Sequence, residues 1–260
     1  MSIDFSLSDD GIALITINRP ERMNAMDADH YKGLTDAWIR VRDDDAVRVA
    51  IVTGAGEKSF TSGADLKSSV WTQRAPASQF FKTQNDMLLN RGLEVWKPVI
   101  SAINGYCLGG GVTLMLATDL RVACESATFN VAEVRRGSVA ANGGTQRLIK
   151  QLPYAVAMKM LLTGETITAR EAERWGLIND VVPTWQDVLP KAMEYARTIA
   201  ANAPLAVQAA KELALRAMDL PLAEGIRLEQ AFVNYLFNTE DAAEGPKAFA
   251  EKRKPNFQGK

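Results

Sequence analysis

The sequence predicts an α/β protein: strands alternate with crossover helices over roughly the first three quarters, and helices alone finish the chain. Three observations carry this expectation. Short apolar runs at 12–18, 47–53 and 99–103 have the length and composition of buried strands. Segments between them place apolar residues three or four apart, the spacing of one helix face. From about Thr166 the strand pattern gives way to helical spacing. Repeated strand–helix alternation is the mark of crossover connections.

Taken in order, IALITIN at 12–18 is a strand ended by Arg19-Pro20. Asp27 opens a helix to about Arg42, with Tyr31, Leu34, Trp38 and Val41 on one face. Residues 47–53 and 99–103 follow as buried strands. The segment after Gly111 is helical to Ala117, and 119–123 and 128–129 are short strands. Helices are then expected at 169–175, 185–201, 206–217 and 222–237. No fixed repeat period is present. A soft boundary near Ala200 separates a core over 1–199 from a helical region over 200–260. Residues 67–91 are weakly patterned, with Trp71, Phe80 and Phe81 among polar neighbours. A segment this long is a candidate lid or binding loop.

Composition removes several function classes. A chain of 260 residues can bury a large core, and 47% hydrophobic with 23% charged residues is ordinary for a globular protein. A formal net charge of −1 argues against non-specific nucleic-acid binding. An anionic ligand would need local positive groups. Cys107 and Cys124 have no motif spacing, so a reducing compartment fits better than a disulfide framework. The N-terminus has no leader-like pattern and no apolar run reaches spanning length, so the expectation is a soluble cytoplasmic protein that crosses no membrane. His30 is the single histidine and is read as a surface-helix residue. Zinc sites and histidine triads therefore lose most of their parts. Acid–base work falls to carboxylates, or to Lys, Tyr and backbone groups.

Four motifs invite chemistry. GAGEKS at 54–59 follows a strand but has the wrong spacing for a phosphate loop and reads as a turn. In FTSGADLK at 60–67, Gly63-Ala64 allows a tight turn that leaves an amide N–H pointing outward. In NGYCLGGGVT at 104–113, three glycines precede an apolar helix. They suit either an oxyanion site at the helix start or close helix–sheet packing, and both readings stay open. Glu133, in AEVRRG, sits among small or apolar residues. It is either an acid/base with a raised pKa or a surface partner of Arg135 or Arg136.

Together, NRPERMNAM, FTSGADLK, NGYCLGGGVTLMLATDLRVA, FNVAEVRRG, GGTQRL and the closing EGPKAFAEKRKPNF resemble the enoyl-CoA hydratase/isomerase (crotonase) family. The resemblance spans essentially the whole chain. It implies a spiral of ββα units with a C-terminal helical region that assembles trimers or pairs of trimers. It also implies an acyl-CoA substrate, with coenzyme A part of that substrate and no separate cofactor or metal.

The thioester oxygen would lie between the N–H groups of Ala64 and Gly110. Preformed donors of this kind stabilise the charge of an enolate. Family hydratases carry two glutamates. One matches Glu133, and the other falls three residues after the middle glycine, where this chain has Thr113. Thr113 can hold a water but cannot deprotonate it. The resemblance therefore favours hydratase-type chemistry with Glu133 as acid/base. A single-glutamate isomerase, a hydratase-lyase and a non-catalytic acyl-CoA-binding scaffold are the alternatives. Ala141 stands where certain dienoyl isomerases carry an extra Asp. Coenzyme A would meet Arg22, Met23, Asn24 and Ala25 along the pantetheine and phosphates, and Ala64, Asp65 and Leu66 at the adenine. Gly109 and Gly110 would also contact the substrate, with Phe249 and Lys252 closing over the nucleotide. Asp65 itself is expected to be a turn residue. Trp71, Phe80, Phe81 and Trp96 suit either a bulky acyl group or the core.

Overall fold

The computed structural model describes residues 2–67 and 88–260, and two sheets organise it. The first contains, in spatial order, β1 (Ile3–Leu7), β2 (Ile12–Ile17), β3 (Val49–Gly54), β5 (Val99–Ile103), β7 (Leu120–Cys124) and β10 (Asp180–Val182). The second contains β4 (Ser59–Thr61), β6 (Tyr106–Leu108), β8 (Thr128–Asn130) and β9 (Ile167–Thr168). Three times the chain makes a strand in the first sheet and then one in the second. Successive passes stack in parallel, β3 on β5 on β7 and β4 on β6 on β8. This is the spiral of ββα units implied by the motifs.

Burial explains the central strands. Every residue of β5 is buried, and β3 is buried but for half-exposed Thr53, because both faces are covered. The helix α1 (Ala28–Asp43) packs on β1 and β2 through Leu34, Ala37, Trp38 and Val41. Asp27 caps it by accepting from the N–H groups of Asp29 and His30. The short helix α2 (Gly110–Met115) follows β6. After β8 come α3 (Gly144–Gln151), α4 (Tyr154–Thr163) and α5 (Ala169–Arg174). The helix α6 (Trp185–Ala200) lies on β3, β5 and β7 along Val188, Ala192, Ala196 and Ala200, a stripe of small residues four apart. Last come α7 (Pro204–Arg216), α8 (Leu222–Leu236) and α9 (Glu240–Ala250). α8 buries none of its residues in the single chain.

Several elements go beyond the sequence expectation: β1, the three-residue strands β4, β6 and β10, and the helices α3, α4 and α9. His30 overturns its reading as a surface residue. It is only 4% exposed, because Asp27 folds back over the first turn and holds Nδ1 at 2.6 Å. Trp71, Phe80 and Phe81 lie outside the described residues. Trp96 is half-buried, with the Arg216 guanidinium 5.2 Å from its ring centre.

One buried charge fixes the far end of α2. Arg121, on β7, donates to the carbonyls of Met115 (3.1 Å), Leu116 (3.3 Å), Thr118 (2.9 Å) and Leu177 (2.9 Å). Burial lowers its pKa to about 10, so it stays charged at neutral pH. Three of these carbonyls, Met115, Leu116 and Thr118, cluster at the negative end of the α2 dipole, where a cation is favourable. Replacing Arg121 with Met, which has no donors, leaves the Thr118 and Leu177 carbonyls without a partner among the described residues, while Met115 O keeps Thr118 and Leu116 O keeps Gln151. Urea denaturation is expected to show a loss of about 3 kcal/mol or more.

Candidate active site

The site begins with two loops locked together by backbone. Gly63 has φ +89°, and a Cβ there would lie 2.8 Å from the Leu108 carbonyl oxygen and 2.9 Å from the Gly110 nitrogen. Only glycine permits that approach. On its other side, Met26 N–H donates to Gly63 O (2.8 Å) and Asp65 N–H to Met26 O (2.8 Å). This parallel bridge uses the residues on either side of Ala64, so Ala64's own N–H faces away from it. Neither the Ala64 N–H nor the Gly110 N–H has an acceptor among the described residues. The two backbones are neighbours, since a Cβ on Gly110 would sit 3.5 Å from Ala64 N.

The three glycines differ in their surroundings, and close packing accounts for one of them. Gly111 is there for packing, as a Cβ would fall 2.7 Å from Thr61 O. Gly110 offers a free N–H at the start of α2. Gly109 takes φ +52° and lies under Glu133, whose Oε1 would be 3.2 Å from a Cβ there.

Glu133 sits on a 3-10 turn, Ala132–Arg136, directly after β8. Gly109 N–H donates to Asn130 O (2.8 Å), which ties the end of β8 to the glycine run. The Glu133 Oε2 atom is buried and has no hydrogen-bond partner among the described residues. Burial raises its pKa above the ordinary carboxylate value, against a smaller opposing pull from Arg136. The alternative of a surface salt bridge fails: Arg135 donates to Thr163 O (2.8 Å), and no ion pair to Glu133 forms among the described residues. Thr113 is buried one turn into α2, its Oγ donating to Gly109 O at 3.3 Å. Glu133 and Thr113 thus both bear on Gly109.

The loop before α1 is stiffened by Arg19, which pairs with Asp65 (2.9 Å) and Asp27 (3.1 Å) and donates to Ala25 O (3.2 Å). Asp65 is a turn residue as expected. It accepts from Lys67 N–H (3.0 Å) and Arg19, which hold its carboxyl below the usual range. Asn24, expected along the ligand, is fully buried. Its amide binds Ala55 O, Ser59 O and Arg19 N–H, so its side chain shapes the loop and presents nothing outward. Arg22 and Leu66 are exposed, and Met23 and Ala25 half-buried. Phe249, 87% exposed, and Lys252 lie at and just beyond the end of α9. No hydrogen bond or ion pair among the described residues brings them to the Ala64 or Glu133 loops within one chain.

Some site residues were not signalled as functional by sequence. A small cavity beside Gly110 and Thr113 is lined also by Tyr31, Trp38, Asn90 and Asn142. Tyr31 and Trp38 appeared in the sequence only as a helix face. Burial pushes the Tyr31 hydroxyl up to about 12, so it remains a neutral donor. No three His, Cys, Asp or Glu residues gather as a metal site among the described residues, and no helix there is long and apolar enough to cross a membrane.

Residues 8–260 match the Enoyl-CoA hydratase/isomerase family profile. The chain belongs to the enoyl-CoA hydratase/isomerase family. It is 46% identical over 248 residues to (E)-benzylidenesuccinyl-CoA hydratase of Thauera aromatica, covering 95% of this chain and 96% of that one. It is 40% identical to carnitinyl-CoA dehydratase of Salmonella enteritidis over the full length of both. Among solved structures, an enoyl-CoA hydratase from Bacillus anthracis superposes with TM-score 0.90 at 34% identity, covering all of both chains. A probable enoyl-CoA hydratase/isomerase from Mycobacterium abscessus gives 0.89 at 39%, covering 100% of this chain and 99% of that one. The crotonase fold and an enzyme of enoyl-CoA hydratase type acting on an acyl-CoA are thereby established.

The oxyanion donors can be tested without touching a side chain. Gly110 is the first residue of α2, a position that tolerates proline, and the nearest atoms to a Cβ there are at ordinary contact distance. Gly110→Pro removes the N–H and is expected to lower kcat by about 10²–10³ in an enoyl-CoA turnover assay while α2 remains folded.

Proposed function

We propose that this enzyme adds water across the double bond of a 2-enoyl-CoA, with Glu133 as its one general acid/base and the Ala64 and Gly110 N–H groups as its oxyanion hole. The observation that carries the reading is the buried, unpartnered Glu133 oxygen beside a glycine run whose next N–H is also unpartnered. A carboxylate so placed is a stronger base than an exposed one, and the donors face the same space.

In this reading the thioester carbonyl oxygen accepts from Ala64 and Gly110. Water attacks the β-carbon and passes one proton to the Glu133 carboxylate. The double-bond electrons move to the α-carbon and onto the thioester oxygen as an enolate. Glu133 then returns the proton to the α-carbon. One water is consumed, the carboxylate is regenerated, and no redox partner or metal is needed. Coenzyme A, part of the substrate, would run past Arg22, Met23, Ala25 and the Ala64–Asp65–Leu66 backbone. Phe249 and Lys252 would reach the nucleotide of a neighbouring copy's site.

The exposed apolar residues Leu222, Ile226 and Tyr235 of α8, with Phe237 just after it, support assembly as a trimer or a pair of trimers. A cytoplasmic location is part of the same reading, in line with the two free, buried cysteines. Relatives named for hydration and dehydration support water chemistry. Thr113 in place of a second carboxylate favours one alternative, double-bond migration by Glu133 alone.

The deciding assay follows a short 2-enoyl-CoA and a 3-enoyl-CoA with wild type and Glu133→Gln. Loss of the 2-enoyl chromophore, reduced about 10²–10⁴-fold in the variant, is expected; migration of the 3-enoyl bond without hydration sinks the hydratase reading. The base form of Glu133 is required, so the acidic limb of kcat/KM is expected above the ordinary carboxylate pKa. Stability has the opposite sign. A raised folded pKa means Glu133 favours folding at low pH and loses that contribution as pH rises through the folded value. Glu133→Gln is therefore expected to melt higher than wild type at pH 7, a difference that shrinks toward pH 4.

A further inference from the structure

We propose that Asn142, on the turn entering α3, binds and orients the water that Glu133 activates, with Thr113 and Asn90 completing its surroundings. The inference rests on the hydratase reading above.

The cavity beside Gly110 has a volume of ≈ 20 Å³ and is lined by Thr113, Asn90, Asn142, Tyr31 and Trp38 among others. That is room for about one water, which needs two to four polar partners to be held. Among apolar neighbours the lining residues include Thr113, Asn90 and Asn142, and Trp38, whose buried indole N–H has no acceptor among the described residues. None is a base, and none need be. Glu133, which is not itself in the lining, would supply the base from beside Gly109, the residue before the cavity-lining Gly110.

Asn142 takes φ +53°, a left-handed conformation it shares with Met23, Asn24 and Lys252 and one that asparagine adopts more readily than most residues. Asn24 shares this geometry, and there the amide makes three bonds to backbone groups. The Asn142 amide makes none among the described residues, although its own neighbours 143 and 144 are glycines. Its amide thus has no partner among the described residues, and Asn142 lines the cavity.

The surroundings hold it there. Arg147 Nη1 donates to Asn90 O (2.9 Å) and reaches Asn142 O (3.4 Å), joining the two asparagine-bearing turns. No carboxylate pairs with Arg147 among the described residues, and burial depresses its pKa. A Cβ on Gly143 would lie 1.9 Å from that same Nη1, and one on Gly144 would lie 2.8 Å from Thr113 Oγ. The turn is pressed between Arg147 and Thr113, so Arg147 is a positioning residue. An amide both accepts and donates, so Asn142 can take one water proton in a hydrogen bond while the other passes to Glu133. Asn142 itself neither gains nor loses a proton.

Asn142→Gly suits the backbone and removes the amide, and a melting curve checks that the variant is folded. Two rates are compared: hydration of crotonyl-CoA, and exchange of the α-protons of butyryl-CoA with D2O. Exchange needs Glu133 and the oxyanion hole but no added water. The ratio of hydration to exchange is expected to fall about ten-fold or more in the variant, the effect of one lost hydrogen bond. An unchanged ratio overturns the assignment, whether both rates hold or both fall together. Wild type that exchanges butyryl-CoA protons but does not hydrate crotonyl-CoA overturns the hydratase reading and this proposal with it. A wild type that hydrates isolates the role of Asn142.

Discussion

The site depends on one backbone contact, the approach of Gly63 to Leu108 O and Gly110 N. It brings the ends of β4 and β6, neighbours in the second sheet, close enough for two free N–H groups to share one space. The spiral makes this possible. Parallel stacking of β4, β6 and β8 delivers three successive loops to one edge: the Ala64 turn, the glycine run and the Glu133 turn. Donors and carboxylate are therefore set by sheet register, and the helices mainly hold that register in place.

Charge in the interior follows a consistent pattern. Arg121 and Arg147 are both satisfied by backbone carbonyls, with no carboxylate hydrogen-bonded to either among the described residues. Arg19 and Lys211 do pair with carboxylates, Asp27 and Asp65 in one case and Asp119 in the other, and all three acids are structural. Buried Asp241 has no ion pair either but accepts from the N–H groups of Gln258 and Gly259, whereas half-buried Glu133 has neither a salt bridge nor, at Oε2, a hydrogen bond among the described residues. An adjacent guanidinium would hold its pKa low and weaken it as a base. The unpaired state destabilises the fold locally and suits the chemistry.

Much of this was legible in the sequence, for physical reasons. β3 and β5 showed as short apolar runs, and α1, α6, α7 and α8, 13 to 16 residues long, gave helical spacing room to show, whereas α3, α4 and α9 at 8 to 11 residues did not. β4, β6 and β10 have three residues each, too few for any period, and exist because neighbouring strands pair with them. β1 is short and half-exposed, so its alternation was diluted. The donors Ala64 and Gly110 were legible as motifs but not as geometry, because a free N–H leaves no trace in a side chain. His30 was misjudged because its burial is created by Asp27, a residue read as a helix start alone. Asn142 was hidden for a similar reason: an asparagine before two glycines reads as a turn, and only its φ and its idle amide separate it from one.

Both proposed oxyanion donors are main-chain groups, and this has a consequence for divergence. No side-chain replacement at Ala64 deletes its N–H, short of proline, so the part that stabilises the enolate is nearly immune to mutational drift. In the proposed mechanism the groups that decide what happens to the enolate are a few side chains on separate elements: Glu133 on its 3-10 turn, Thr113 on α2 and Asn142 before α3. Each can change without disturbing the others' backbone. A scaffold built this way keeps one intermediate constant while lineages exchange the reaction that surrounds it.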